Sequence, residues 1–223
     1  VTAVSRSASS ALRLVAFGLG AVATLPVLAG GELVAALALA ATDLHEGVAA
    51  AFVNAAIPEE TAKLATLALL LLPSVRGLRV ALPVDAADLG VRRGLEAGFS
   101  LGLGFALVET LLQVGRLAAL LDTERTLTVT LVRALTALPL HACVGALAGG
   151  YLATRSYGKA WVVPTALHGL YDLAVFEAAR GAGIGTLALA YVVLALVVWW
   201  VVTLYAWSAT AGAAQAASRL SPL

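Results

Sequence analysis

The chain has 223 residues, 61% of them hydrophobic and 12% charged, with a formal net charge of +1. An ordinary soluble domain is about 45–50% apolar and about 25% charged. The excess cannot be hidden in one soluble core, so the expected class is a polytopic membrane protein. The near-neutral charge leaves no nucleic-acid footprint. The single cysteine, Cys143, excludes an intrachain disulfide and a cysteine-rich zinc site, and reads as a small buried residue. No methionine is present, which suggests a trimmed or edited chain, so no targeting segment is judged.

No repeat and no soluble domain is visible. Residues 1–223 read as one all-α domain, a polytopic transmembrane helical bundle of about six to seven helices. Leu12–Ala29 is the first expected span. Leu33–Leu44 is apolar but short, at about 18 Å of helix, and is expected as a tilted or half-crossing segment. Gly47–Leu72, Gly94–Leu121, Leu127–Ala153, Ala160–Ala179 and Ile184–Ala211 are each long enough to cross about 30 Å of hydrocarbon.

Basic loops order these segments. Arg76, Arg79, Arg92 and Arg93 follow the third, Arg155 and Lys159 the fifth, and Arg219 the last. Asp43, Glu46, Asp122, Glu124, Arg125, Glu177 and Arg180 fall on the opposite side. The positive-inside rule then puts the loop after Leu72 and the C-terminus in the cytoplasm. Arg6 and Arg13 join that side only if the first two segments together cross once.

Charges interrupt the apolar segments where lipid least tolerates them. Pro58-Glu59-Glu60-Thr61-Ala62-Lys63 sits between two apolar runs. A carboxylate near the bilayer centre costs at least ~2.5 kcal/mol on the mildest insertion scale. Glu109, His141, His168 and Asp172 interrupt three later segments. Counted inward at 1.5 Å per residue, these groups fall within about 6–8 Å of one level near the midplane. Four helices matched in depth point to one shared site, wet and shielded from lipid.

Spacing within helices agrees. His168 and Asp172 are i and i+4, so they share a face, and Glu59 and Lys63 form the same favourable order for an ion pair. Glu60 points about 100° away from Glu59, so the two glutamates are expected to have different jobs. Pro58, Pro139 and Pro164 precede the polar groups; in a helix they free the carbonyls of Asn54, Leu135 and Ala160 and bend the chain. Gly94, Gly98, Gly102 and Ala106, and likewise His141, Gly145 and Gly149, run at four-residue intervals, which lets helix backbones approach closely.

These residues resemble the PrsW family of intramembrane proteases. Glu59-Glu60-Thr61-Ala62-Lys63 resembles the family's EExxK element, and Gly98 to Glu109 is similar to its glycine-rich GFxxxE helix. His141 to Gly149 resembles HxxxGxxxG, and His168-Gly169-Leu170-Tyr171-Asp172 resembles HGxxD. The motif-bearing helices lie within about 47–180; Thr110 departs from the asparagine usual after the glutamate. The pattern is more distantly similar to the CPBP group with its CAAX prenyl proteases, whose FxxxH element here has Glu109 for the histidine. The resemblance implies cleavage of a membrane-anchored protein substrate, such as an anti-sigma factor, in a bacterial or archaeal cytoplasmic membrane. High Ala, Arg and Leu with little Lys suggests a GC-rich genome.

Peptide hydrolysis needs an activated water, a base and a stabiliser for the oxyanion. Two histidines and a carboxylate make a His₂Glu zinc site, here His141, His168 and Glu109. Asp172 completes that set or orients His168. Glu59 is the expected general base, since burial raises a carboxylate's pKa toward neutrality. Glu60 is a further ligand or holds Lys63; Lys63 stabilises Glu59 or lies near the oxyanion. Zn²⁺ is the expected cofactor, with a metal-free glutamate mechanism as the alternative. A proton- or metal-coupled transporter also fits midplane carboxylates and broken helices, though transporters often show repeats. A silent binding or immunity protein is a third class. Arg133 reads as snorkelling or a buried pair, Glu96 as solvated, and Trp161, Trp199, Trp200 and Trp207 as interfacial or lipid-facing anchors.

Overall fold

Apolar segments of this length satisfy their backbone polar groups internally only as helices, and every described element is helical. The structure is a computed structural model that describes residues 3–41, 45–72 and 90–220. It contains six rods. They are α1 (Ala3–Ala41); a composite of α2 (Glu46–Val48), a π-helix (Ala49–Ala56) and α3 (Ile57–Leu71); α4 (Val91–Ala118); α5 (Thr123–Leu135) followed by α6 (Ala137–Ala153); α7 (Tyr157–Ala179); and α8 (Ile184–Leu220). Among the described residues, four stretches are long and apolar enough to span a membrane: Ser10–Gly30, Val91–Ala118, Thr123–Ala153 and Ile184–Thr210. The chain is thus a multi-pass membrane protein. The composite rod and α7 carry Glu59, Glu60, Lys63, His168 and Asp172, which lowers their hydropathy.

Two boundaries differ from the sequence reading. The first span and the short segment after it are one continuous helix, with Pro26 inside it. The span expected over Leu127–Ala153 is broken at Thr136 (φ −125°, ψ −59°), three residues before Pro139. Up to the break the α register holds, because the Thr136 N–H and Oγ1 both donate to the Val132 carbonyl. Asp43, Arg76 and Arg79 lie outside the described residues.

The small-residue stripes decide which helices meet. α4 packs most extensively on α6. A Cβ added to Gly94, Gly98 or Gly102 would collide with the carbonyl oxygen of Gly149, Gly145 or His141 respectively. The pairs run in opposite order, so the helices are antiparallel, and the close approach brings the α4 backbone against His141. On the other side of α4, Gly20 and Gly104 make the same kind of contact with Leu101 and Phe17, and Thr24 Oγ1 donates to the Phe105 carbonyl at 3.1 Å. One apolar cluster joins Leu12, Leu67, Leu71, Leu101 and Leu152; a second joins Leu140, Val144, Leu147, Tyr171, Val193 and Val197. Leu140 and Tyr171 of the second cluster also line the cavity beside the polar residues.

The outer surface is apolar, as a lipid-facing surface should be. Trp199 and Trp207 on α8 are 67% and 59% exposed. Trp200 instead packs edge-on against Tyr151, and Trp161 Nε1 donates to Thr61 Oγ1 at 2.9 Å. At one end of the bundle Arg180 pairs with Glu177 at 3.0 Å and with Glu46 at 3.7 Å. Toward the other end Glu96, expected to be simply solvated, takes Arg92 Nε at 3.0 Å and Tyr205 OH at 3.2 Å.

Candidate active site

Pro58 sits in the first turn of α3, directly after Ile57. The turns before it are π-helical, and the Ile57 N–H donates to the Phe52 carbonyl five residues back. From there Glu59, Glu60, Lys63, Leu67 and Leu71 make one buried face. Lys63 is fully buried; its Nζ donates to Glu60 Oε1 at 2.7 Å and lies 4.4 Å over the Phe105 ring. The ion pair expected with Glu59 is the looser one, at 3.7 Å.

Each histidine has a carboxylate close to one nitrogen, and Glu59 Oε2 lies within 4.0 Å of the other. His168 donates through Nδ1 to Glu60 Oε1 at 2.9 Å, and its Nε2 stands 4.0 Å from Glu59 Oε2. His141 Nε2 stands 3.1 Å from Glu109 Oε2, and its Nδ1 lies 3.7 Å from Glu59 Oε2. Lys63 Nζ shares that Nδ1 at 2.7 Å. The two imidazoles meet edge to face with centroids 4.6 Å apart. One turn below His168, Asp172 Oδ2 lies 3.1 Å from His168 Nε2, as the i, i+4 spacing requires.

The structure therefore gathers Glu59, Glu60, Lys63, Glu109, His141, His168 and Asp172 into one cluster. Arg133, for which no partner was evident in the sequence, joins them by donating to Glu109 Oε1 at 2.5 Å. A charge in a largely apolar segment was the available signal, but the 24-residue separation hides the partner. Thr110 is buried, and its hydroxyl has no hydrogen-bond partner among the described residues.

Two features bear on a metal. One donor atom from each of Glu59, His141 and His168 lies within 4.8 Å of the others, all buried. Ligands on a tetrahedral zinc at ~2.0–2.1 Å sit about 3.3–3.5 Å apart, so the group is slightly open for such an ion. Glu59 Oε2, between the two imidazoles, is buried with no hydrogen-bond donor among the described residues. In addition, four carboxylates gather in the cluster, and the permanent cations that pair with them at the printed distances are Lys63 and Arg133. A buried cluster with more carboxylates than permanent cations is tolerated poorly unless further positive charge is supplied, which a dication would do.

A cavity of about 430 Å³ opens beside the cluster. Glu59, Glu109, His141, His168 and Asp172 line it, together with Asn54, Gln113, Arg116, Arg133 and Tyr191. Glu60 and Lys63 do not; they stand behind the histidines. Asn54, five residues before Glu59, is a cavity residue that sequence reasoning noted only for its backbone carbonyl.

No curated protein and no solved structure matches the chain. The family described as PrsW family intramembrane metalloprotease matches residues 8–202, which span every helix that contributes to the cluster and the cavity. With that match over most of its length, the chain belongs to the PrsW family, an intramembrane protease family.

Proposed function

We propose that the chain is an intramembrane metallo-endopeptidase that hydrolyses a peptide bond in a membrane-anchored protein, with zinc held by Glu59, His141 and His168. The observation that carries this reading is the buried Glu59 Oε2, which lacks a donor among the described residues and faces a nitrogen of each histidine. Bound there, the ion would supply a Lewis acid and lower the pKa of a water nucleophile.

The protein's own groups do the rest. Glu60 holds His168 from behind and Glu109 stands beside His141 Nε2 at the cavity, positions suited to orienting the two imidazoles. Glu109 has one oxygen on Arg133 and the other beside His141, which favours an orienting role over the ligand role first assigned to it. Asp172 lines the cavity beside His168 Nε2. It is suited to take the proton of the attacking water and return it to the leaving amine nitrogen. This exchanges the roles that the sequence suggested for Glu59 and Asp172. Lys63, behind the histidines, suits holding Glu60 better than meeting an oxyanion.

The substrate class that fits is a single-span protein whose helix unwinds to expose its backbone; a membrane-anchored anti-sigma factor is one such protein. Counting each of the six rods as one crossing puts Arg6, Arg13, Arg155 and Lys159 on one side, which the positive-inside rule makes cytoplasmic. A bacterial or archaeal cytoplasmic membrane is the location this reading implies.

Elemental mass spectrometry of detergent-purified protein tests the metal. About one zinc per chain in the wild type, absent from His168→Ala, is the expected result. No metal in either, in folded protein never exposed to chelator, would overturn the metallosite and leave Glu59 acting directly on water.

A further inference from the structure

Resting on the protease reading, we propose that the π-helical turn Ala49–Ala56 is a subsite for extended peptide backbone, with Asn54 as the side chain that hydrogen-bonds it. The rod leaves α geometry only over these residues, immediately before Pro58-Glu59. π turns are uncommon and concentrate at functional sites. Here the i→i−5 register ends with the Ile57 N–H on the Phe52 carbonyl. The next donor in that register belongs to Pro58, which has no N–H, so the Val53 carbonyl receives none from it. Asn54 follows directly. Its Oδ1 is buried, has no hydrogen-bond partner among the described residues, and belongs to a side chain that lines the cavity with Glu59. Glu59 lies five residues further on, and both side chains line the same cavity.

The turn is also fixed in place relative to the histidines. A Cβ added at Gly169 would collide with the Phe52 ring, so the glycine after His168 is what lets the π segment dock against α7. This gives a rigid acceptor beside the reacting groups, as substrate positioning requires.

The ligand chemistry follows from the medium. A peptide bond can be cleaved only after its helix has opened, and in the membrane the freed N–H and C=O groups are costly unless paired. An asparagine side chain carries the donor and acceptor of a peptide bond and can pair with an extended segment as a strand edge would. The ligand is thus a backbone N–H of an extended, apolar stretch next to the scissile bond.

The test uses the full chain in detergent micelles and a capped leucine–glycine peptide that carries a photoreactive diazirine. Companion peptides are each N-methylated at one position. Wild type is expected to be labelled saturably, with one N-methyl position weakening binding about fivefold. Asn54→Leu, and separately Asn54→Ala, should weaken the unmodified peptide by a similar factor and lose sensitivity to that N-methyl group. If both variants bind as wild type does and keep that sensitivity, or if wild type shows no saturable labelling, the subsite is wrong. Cleavage is not the readout. Asn54-dependent binding by a protein that hydrolyses nothing would sink the protease reading and spare the subsite, while cleavage with binding indifferent to Asn54 would sink the subsite alone.

Discussion

His168 Nδ1 donates to Glu60 Oε1 at 2.9 Å, and that same oxygen receives Lys63 Nζ at 2.7 Å. One carboxylate oxygen thus holds the imidazole and is itself held by a buried cation. Removing its charge should loosen the imidazole without removing a proposed ligand. Glu60→Gln is expected to keep the fold and weaken zinc binding by about 10–100-fold, the usual range for an outer-shell partner. Equilibrium dialysis against a zinc indicator measures it, and unchanged affinity would show that Glu60 does not orient His168.

Lys63 places a positive charge 2.7 Å from His141 Nδ1, the nitrogen that faces Glu59. The lysine contact and zinc binding at that atom oppose each other. Lys63→Met, of similar size and uncharged, should therefore bind zinc at least about tenfold more tightly, since a unit charge about 4 Å away matters by several kcal/mol at an effective dielectric of 20. The same titration reads this out. Weaker binding would mean that Lys63 supports the ligands chiefly by holding Glu60.

The roles proposed for Asp172 and His168 separate cleanly although the residues are 3.1 Å apart. Asp172→Asn should retain zinc and lose activity by about 10²–10⁴-fold, the range for a general base. His168→Ala should lose both. Metal content and reporter-substrate cleavage measured on the same preparations decide it. An Asp172→Asn protein that cleaves at the wild-type rate would return the base to Glu59.

Arg133 neutralises Glu109 from a helix that buries none of its own residues. Breaking a buried pair costs about 3–5 kcal/mol because the partner charge is left uncompensated. Arg133 keeps 24% of its side chain exposed, so Arg133→Met should fall at or below the low end of that range. Replacing Glu109 by Gln in the same protein should restore part of the loss. Thermal unfolding in detergent checks both, and a double variant no better than the single one would deny the pairing its energetic role.

Gly98 faces the Gly145 carbonyl so closely that a Cβ would meet backbone, which cannot rotate away. Gly98→Val is expected to separate α4 from α6 and cost more than the ~1–3 kcal/mol typical of overpacking. Gly158→Ala, where nothing lies within 4 Å, serves as the control and should be neutral or slightly stabilising. Size-exclusion profiles and melting temperatures of the two would sink this account of the helix packing if they matched.

The bundle and the members of its site were legible in the residues because lipid imposes local rules. Apolar length sets a span, and a charge inside one needs a reason. That suffices to pick Glu59, Glu60, Lys63, Glu109, His141, His168 and Asp172, and the glycine stripes announce close helix contacts. What spacing along single helices cannot supply is the distance between helices. It left open whether Lys63 holds Glu59 or Glu60; the 2.7 Å contact to Glu60 is set within α3, whereas the contact of that carboxylate with His168 depends on how α3 sits against α7. It left Arg133 without a partner, because its partner lies on another helix. It expected the chain to bend near Pro58 and Pro139 but not as a π turn or a break at Thr136, since proline permits several local responses and packing selects among them. Membership of the polar cluster was thus written in the sequence by the cost of charge in lipid. Which nitrogen faces which carboxylate was decided only when the antiparallel packing of α4 on α6 and the docking of Phe52 on Gly169 set the helices in register.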